Sequence, residues 1–262
     1  MAHSAVIIQA RMGSTRLPGK VLKELAGQTV LRHVIERCAA IEGIDVVCCA
    51  VPLGAADDPV AEEALRCGAL VVRGSERDVL DRYYQAALAL RAGVVVRVTS
   101  DCPLVDPYVA AEVLRLVTVE GADYACNNMP PSWPHGLDCE AFTFAWLERA
   151  AREAKLPSER EHVTPYLCSH PAVRKLVFHG AGGPQVHHRW TLDTEADLAF
   201  LRALFDRMPV GRASYGNQVP LVIVEADPVL AAINGGQERE AGYKKSLAED
   251  AAFLVRRGDA RS

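Results

Sequence analysis

Short apolar runs alternate with helix-period segments through the first half of this 262-residue chain, and that alternation constrains its fold more than any other feature. The candidate strands are Ala5–Gln9, Val46–Val51, Ala69–Val72 and Val94–Thr99. Between them, Thr29–Ile41, Pro59–Cys67 and Asp78–Ala92 repeat apolar residues at helical spacing. Strands joined by helices run parallel through right-handed crossovers, so the expected fold is α/β, a mostly parallel sheet with helices on both faces. Ligands of such sheets sit at the carboxyl ends of the strands. The length and the half-hydrophobic composition suit one large domain, residues 1–262.

The pattern loosens after Asp123. Asn127–Gly136, NNMPPSWPHG, is a Pro-rich loop or subdomain edge, and the segment from about 127 to 187 is expected to be a small inserted subdomain for acceptor binding or dimerisation. Cys139–Phe144 reads as a strand and Phe144–Lys155 as a helix. Glu159–His170 reads as a helix broken at Pro165. Val173–Phe178 and His188–Leu192 read as further strands. Thr194 is a candidate N-cap for a helix ending near Asp206, with acidic residues in its first turn. Val219–Arg257 is expected to be helical in pieces, one of them starting at Asp227-Pro228.

Directly after the first strand comes QARMGSTRLPGK, Gln9–Lys20, which carries Arg11, Arg16 and Lys20 beside two glycines, Ser14, Thr15 and Pro18. Backbone N–H groups and three fixed positive charges on one loop suit a polyphosphate. The loop is not a Walker A sequence: five residues separate Gly13 from Gly19, and Val21 replaces the magnesium-binding Ser or Thr. On charge alone, a solvated surface loop explains it equally well. Ala10, Arg11, Gly13, Ser14, Arg16 and Lys20 are the candidate nucleotide contacts on this side, with Ser100 and Asp101 on the loop after the strand Val94–Thr99.

The net charge of −4 argues against a general nucleic-acid or anionic-membrane binder. No stretch approaches the roughly 18 apolar residues of a membrane span. The N-terminus lacks a basic region followed by a long apolar run, and the eight cysteines show no metal-ligand spacing, so a cytoplasmic protein with reduced core thiols is expected.

Asp101 leaves a strand into a Cys-Pro turn, and Asp193, in RWTLDTEADL, also follows an apolar run. Together they make a candidate Mg²⁺ site that would take its remaining oxygens from phosphate and water. Taken singly, Asp193 reads better as a helix cap, as do Asp106 and Asp197. His135, Asp138, Glu140, Arg160, His162 and Arg189 are candidate acceptor contacts in the middle segment, with Arg160 or Arg189 facing an anionic group. A solvated strand face explains Asp138 and Glu140 equally well, and a helix-terminal hydrogen bond explains His162. Arg82 is either a ligand contact or a structural ion-pair member. His187 and His188 would point to opposite faces of a strand.

R-x-x-S-x-R-L-P-G-K after a first strand resembles the signature of the sugar-activating cytidylyltransferases, which make CMP-linked 2-keto acid sugars such as Kdo and sialic acid. VRVTSDCPL is similar to that family's strand-to-aspartate motif. GSERDVLDRYYQAA (74–87), PHGLDCEAF (134–142), EREHVTPYL (159–167), RWTLDTEADL (189–198) and INGGQEREAGYKKSL (233–247) look closest to its spore-coat polysaccharide F-type branch. The resemblance implies a nucleotide-diphosphosugar transferase-like fold (GT-A/Rossmann-like), CTP as donor, Mg²⁺ and a homodimer. It assigns Arg11, Arg16 and Lys20 to the triphosphate, Lys20 to the α-phosphate and leaving pyrophosphate, and Asp101 and Asp193 to the metal. The acceptor motifs of the Kdo and sialic acid enzymes have no match here. An acidic sugar, a phosphonate or phosphate metabolite, and glycosyl transfer from a nucleotide sugar therefore stay open. A non-catalytic nucleotide-binding module is the fourth reading; three cations on one loop suit a triphosphate better than a diphosphosugar.

Overall fold

The computed structural model describes residues 3–209, 211, 215–236, 239, 241–256 and 258. Strand β1 (Ser4–Gln9) is followed by the basic loop, a small hairpin of β2 (Glu24–Leu25) and β3 (Gln28–Thr29), and helix α1 (Val30–Ala39). Next come β4 (Val46–Pro52), α2 (Asp58–Arg66), β5 (Leu70–Gly74), α3 (Val79–Ala89), β6 (Val94–Thr99) and α4 (Pro107–Thr118). The helices start where capping chemistry allows. Thr29 accepts a hydrogen bond from Arg32 N, Asp78 from Asp81 N, and Asp106 from Tyr108 N and Val109 N just before Pro107.

The second half adds β7 (Tyr124–Cys126), β8 (Glu140–Thr143), α5 (Phe144–Glu153), α6 (Pro157–His162), α7 (Pro165–Ser169), β9 (Lys175–Val177), α8 (Glu195–Arg207), α9 (Gln218–Ala226), α10 (Pro228–Ala232) and α11 (Ala241–Arg256). Residues 237, 238 and 240 of the tail motif, and Arg257 at the expected end of the last helix, lie outside the described residues.

Seven strands form one sheet in the order β5-β4-β1-β6-β8-β7-β9. β5, β4, β1 and β6 are parallel, β8 is antiparallel to both its neighbours, and β9 is parallel to β7. Alternate residues of β1 fill opposite layers, Val6 and Ile8 in one and Ala5 and Ile7 in the other, all fully buried. Covering both faces in this way is what a parallel sheet requires. From β1 the chain winds outward through β4 and β5, then returns to the other side of β1 as β6. The strand order therefore reverses between β1 and β6, which is where open α/β sheets place their ligands.

Two sequence expectations need correction. His188–Leu192 is not a strand: Arg189 makes only an isolated bridge to His135, and Leu192 N donates to Asp101 O at 2.8 Å. Its apolar residues, Trp190 and Leu192, are buried against α8 and Leu17 in a third core cluster instead of in a sheet. The short strand β7 is unanticipated. The break expected at Pro165 falls at Val163, whose φ of 73° ends α6 two residues earlier. The 127–187 segment supplies β8 and β9, and both pair within the main sheet.

Candidate active site

Gln9 and Thr99 are register partners at the ends of β1 and β6. The loops that follow must therefore abut, and each is pinned. Met12 N donates to Asp57 Oδ1 at 2.6 Å, and Gly19 N donates to Met12 O at 3.1 Å. Gly19 closes this turn at φ 65°, a left-handed conformation that glycine adopts freely. Leu17 is buried with Leu25, Val30 and Trp190, so one apolar side chain anchors an otherwise polar loop.

These anchors deliver Lys20 to a definite point. Its Nζ donates to Asp101 Oδ2 at 2.7 Å and to Asp193 Oδ1 at 2.9 Å. Arg16 Nη2 lies 3.0 Å from the same Asp193 oxygen, and Arg189 Nη2 donates to Asp193 Oδ2 at 2.8 Å. Asp193 does not cap the following helix. Thr194 does, exchanging hydrogen bonds with Asp197, and so frees the Asp193 carboxylate to face the loop. Asp197, fully buried, holds Arg189 Nε at 2.9 Å and accepts from Asn234 at 3.0 Å.

The charges reinforce one another. Burial alone would raise the Asp101 carboxyl, but the Lys20 ammonium outweighs it and holds Asp101 well below the usual carboxylate range. Burial likewise disfavours the Lys20 ammonium, and the two carboxylates raise it above its ordinary value nonetheless. Lys20 and Asp101 are thus both ionised at neutral pH.

One oxygen of each carboxylate lies within 3 Å of the same nitrogen, so the two aspartates converge on a single point. That donor set suits a hard divalent cation, which takes oxygen ligands and commonly completes its shell with phosphate and water. Among the described residues no group of three or more His, Cys, Asp or Glu side chains adds a full protein cage. The fit is to a cation shared with a phosphate-bearing ligand.

The other expected nucleotide contacts are spread along the loop. Arg11 is exposed and near enough to Arg82 to disfavour that residue's charge. Ser14 Oγ accepts from Leu17 N at 3.3 Å. The N–H groups of Ala10 and Ser100 are already used, on Ala50 O and Gln9 O. Arg82 is buried and donates to Ser75 O at 2.6 Å, a carbonyl and not an ion-pair partner.

Beside Arg16, Asp101 and Asp193 opens a cavity of about 590 Å³, and Asp138, Glu140, His162 and Arg189 line it. Arg160 is placed elsewhere: its Nε donates to Asp78 Oδ2 at 3.0 Å and its Nη1 to Ala151 O at 2.8 Å, fastening α6 to the start of α3. His135, expected beside Asp138 and Glu140, lines the cavity as well, and two further lining residues, Arg97 and Arg239, escape sequence reasoning. Arg97 lies inside the apolar run of β6. His135 Nδ1 faces Arg189 Nη1 at 3.1 Å, and burial pushes this imidazole below its usual pKa. Arg239 donates to Asp138 Oδ1 at 2.7 Å from the tail. The 134–138 turn fits because Gly136, at φ 109°, lets the backbone of Trp190 approach; a Cβ there would sit 2.6 Å from Trp190 C.

A basic loop at the switch point of an α/β sheet, a lysine held between two strand-end aspartates and a large polar cavity alongside define a nucleotidyltransferase-type active site. The sequence model of the family described as cytidylyltransferase matches residues 5–205, and the chain belongs to that family. It is 33% identical over 210 residues to the spore coat polysaccharide biosynthesis protein SpsF of Bacillus subtilis, covering 77% of this chain and 85% of that one. Over 111 residues it is 41% identical to the 3-deoxy-manno-octulosonate cytidylyltransferase of Anaeromyxobacter dehalogenans, 41% of this chain and 44% of the other. A cytidylyltransferase structure from Leptospira borgpetersenii superposes with a TM-score of 0.83 at 27% identity, covering 91% of this chain and 99% of that one. The protein is accordingly a CTP-dependent nucleotidyltransferase. Among the described residues no helix is long and apolar enough to cross a membrane.

Proposed function

We propose that this protein transfers CMP from CTP to an acidic sugar or a related small anionic acceptor, with Mg²⁺ and with release of pyrophosphate. The observation that carries this reading is the placement of Lys20 and Arg16 against Asp101 and Asp193 at the mouth of the cavity. An acceptor oxygen attacks the α-phosphorus, a hydroxyl giving up its proton to solvent; the bond from the α-phosphorus to the bridging oxygen breaks, and its electron pair leaves with pyrophosphate. Negative charge then builds on the non-bridging and leaving oxygens. Lys20 supplies a fixed point charge to those oxygens and Arg16 a planar fork, both positioned before the reaction starts. Asp101 and Asp193 would hold Mg²⁺, which supplies charge neutralisation at the phosphates. Arg189, buttressed by Asp197, keeps the Asp193 carboxylate oriented. The acceptor enters the adjoining cavity, whose arginines favour an anionic partner.

The test is pyrophosphate release from CTP, UTP, ATP and GTP with Mg²⁺, against a panel of sugar acids, sugar phosphates and phosphonates. Acceptor-dependent release with CTP alone is expected. Release with another nucleotide, or CTP consumption by water at the same rate without acceptor, contradicts the reading.

A further inference from the structure

Arg97 occupies the middle of β6, where an apolar residue would normally pack, and it lines the cavity. Thr99, at the end of β6, and Asp101, in the turn that follows, line the same cavity. Arg97 lies one alternate position, about 7 Å, back along β6 from Thr99 at the end of the strand.

The guanidinium is held rigidly. Nη1 donates to Glu140 Oε2 at 2.6 Å, Nη2 reaches Gln9 Oε1 at a long 3.3 Å, and the group lies 5.9 Å from the centre of the Tyr83 ring. Glu140 is a tether with no oxygen left over, because its Oε1 accepts from Tyr124 OH at 2.6 Å. Nε is buried without a partner. An arginine carries five N–H donors and no acceptor, so with one N–H of each Nη engaged, each Nη keeps a second that an acceptor in the cavity can take. Leaving such donors unpaired is unfavourable, and oxyanions make the strongest bonds to them.

We propose that Arg97 anchors the acceptor by binding its carboxylate or phosphate in the cavity, which makes it a specificity-determining residue for the acceptor's oxyanion. This rests on the cytidylyltransferase reading. Glu140 and Tyr124 act as positioning residues that fix the fork. Arg97 is held by Glu140 and Gln9 and Lys20 by the two aspartates, so the anchor discriminates among acceptors without contributing to CTP binding.

The experiment has two arms. Pyrophosphate release from CTP is measured with 3-deoxy-manno-octulosonate and N-acetylneuraminate as carboxylates, glucose 6-phosphate and ribose 5-phosphate as phosphates, and sorbitol as a neutral polyol. The accepted probe is then titrated against wild type, Arg97→Lys and the double variant Arg97→Met with Glu140→Met. The double variant removes both charges and leaves neither unpaired, and its thermal melt verifies the fold. CTP affinity is measured for each by calorimetry. The proposal expects release with an oxyanion probe and not with sorbitol. It expects the KM of that probe to rise roughly 10–100-fold in the double variant, partial recovery in Arg97→Lys, and an unchanged CTP affinity. The carboxylate and phosphate probes decide which oxyanion is read. An unchanged acceptor KM, turnover of sorbitol, or no release from any probe while CTP still binds overturns the anchor. Failure of wild type to bind CTP defeats the underlying reading instead.

Discussion

Replacing Lys20 by Met should tighten divalent-cation binding while it sharply slows turnover. The ammonium occupies the point on which Asp101 and Asp193 converge, 2.7 Å from one oxygen and 2.9 Å from the other. A unit-charge pair about 4 Å apart at an effective dielectric of 20 is worth about 4 kcal/mol before desolvation. The carboxylate side chains are 23% and 18% exposed, so solvent screening and desolvation reduce this to about 1–2 kcal/mol per contact. A divalent ion entering the wild-type site must displace that interaction, and in Lys20→Met it need not. Affinity for Mn²⁺, a spectroscopic stand-in for Mg²⁺, should therefore rise roughly 10–100-fold. Turnover should fall about 10²–10³-fold, the usual cost of losing one preorganised charge at a developing oxyanion. The metal-free variant should also lose about 1–3 kcal/mol of stability and regain it on adding Mn²⁺. Electron paramagnetic resonance of free Mn²⁺ during titration reads the first effect and pyrophosphate release the second. A variant that binds Mn²⁺ no better than wild type, or turns over at a near-normal rate, refutes the reasoning.

Arg160→Ala should act on stability and not on catalysis. It breaks the Asp78 contact between α6 and α3, costing about 1–2 kcal/mol by urea unfolding. Its kcat/KM should stay within a few-fold of wild type, and a selective loss of acceptor affinity would return Arg160 to the site. Acidification should destabilise the protein below neutrality. Burial holds His135 and His162 below their usual pKa, so the unfolded chain binds more protons once the pH drops under about 6.5. Stability is full above that value and falls toward the lower folded values, by at most about 1.4 kcal/mol per pH unit per histidine. The Asp101 carboxyl is shifted in the same direction, in its case by the Lys20 ammonium against the effect of burial: its contribution is present above about pH 3.9 and is lost as pH falls further, outside this window. Urea midpoints from pH 7.5 to 5.0 should slope downward in wild type and flatten in His135→Gln with His162→Gln; equal slopes exclude this origin.

The sequence shows the central half of the sheet because β1 and β4 are apolar runs and β6 is one broken only by Arg97, each bounded by loop residues. Three-residue β7 carries too little pattern to register, and its strand character comes from pairing with β8 and β9. His188–Leu192 misleads for a related reason: tertiary packing of Trp190 and Leu192 imitates strand patterning. Each partner in the site is visible as a residue type, but not their meeting. Lys20 reaches Asp193 across 173 residues of chain, and only the register of β1 with β6 and the return of the chain past Asp101 bring them together. Arg160 and Arg189 look alike in sequence as candidate anion contacts. What separates them is that Asp78 takes one guanidinium, whereas Asp193 and Asp197 hold the other at the cavity wall. Arg97 goes unnoticed because its neighbours are valines, although a charge inside such a run is itself a signal of a polar face.

The central claim, that the Gln9–Lys20 loop and the two aspartates form the CTP site, is tested most directly by calorimetric titration of CTP with Mg²⁺. Wild type is compared with Arg16→Ala and with the double variant Arg16→Ala, Lys20→Ala. One CTP per chain is expected in wild type, with affinity weakened roughly 10-fold by the single substitution and 100-fold or more by the pair. Unchanged affinity in the double variant, with its fold confirmed by circular dichroism, would place CTP elsewhere and contradict the account.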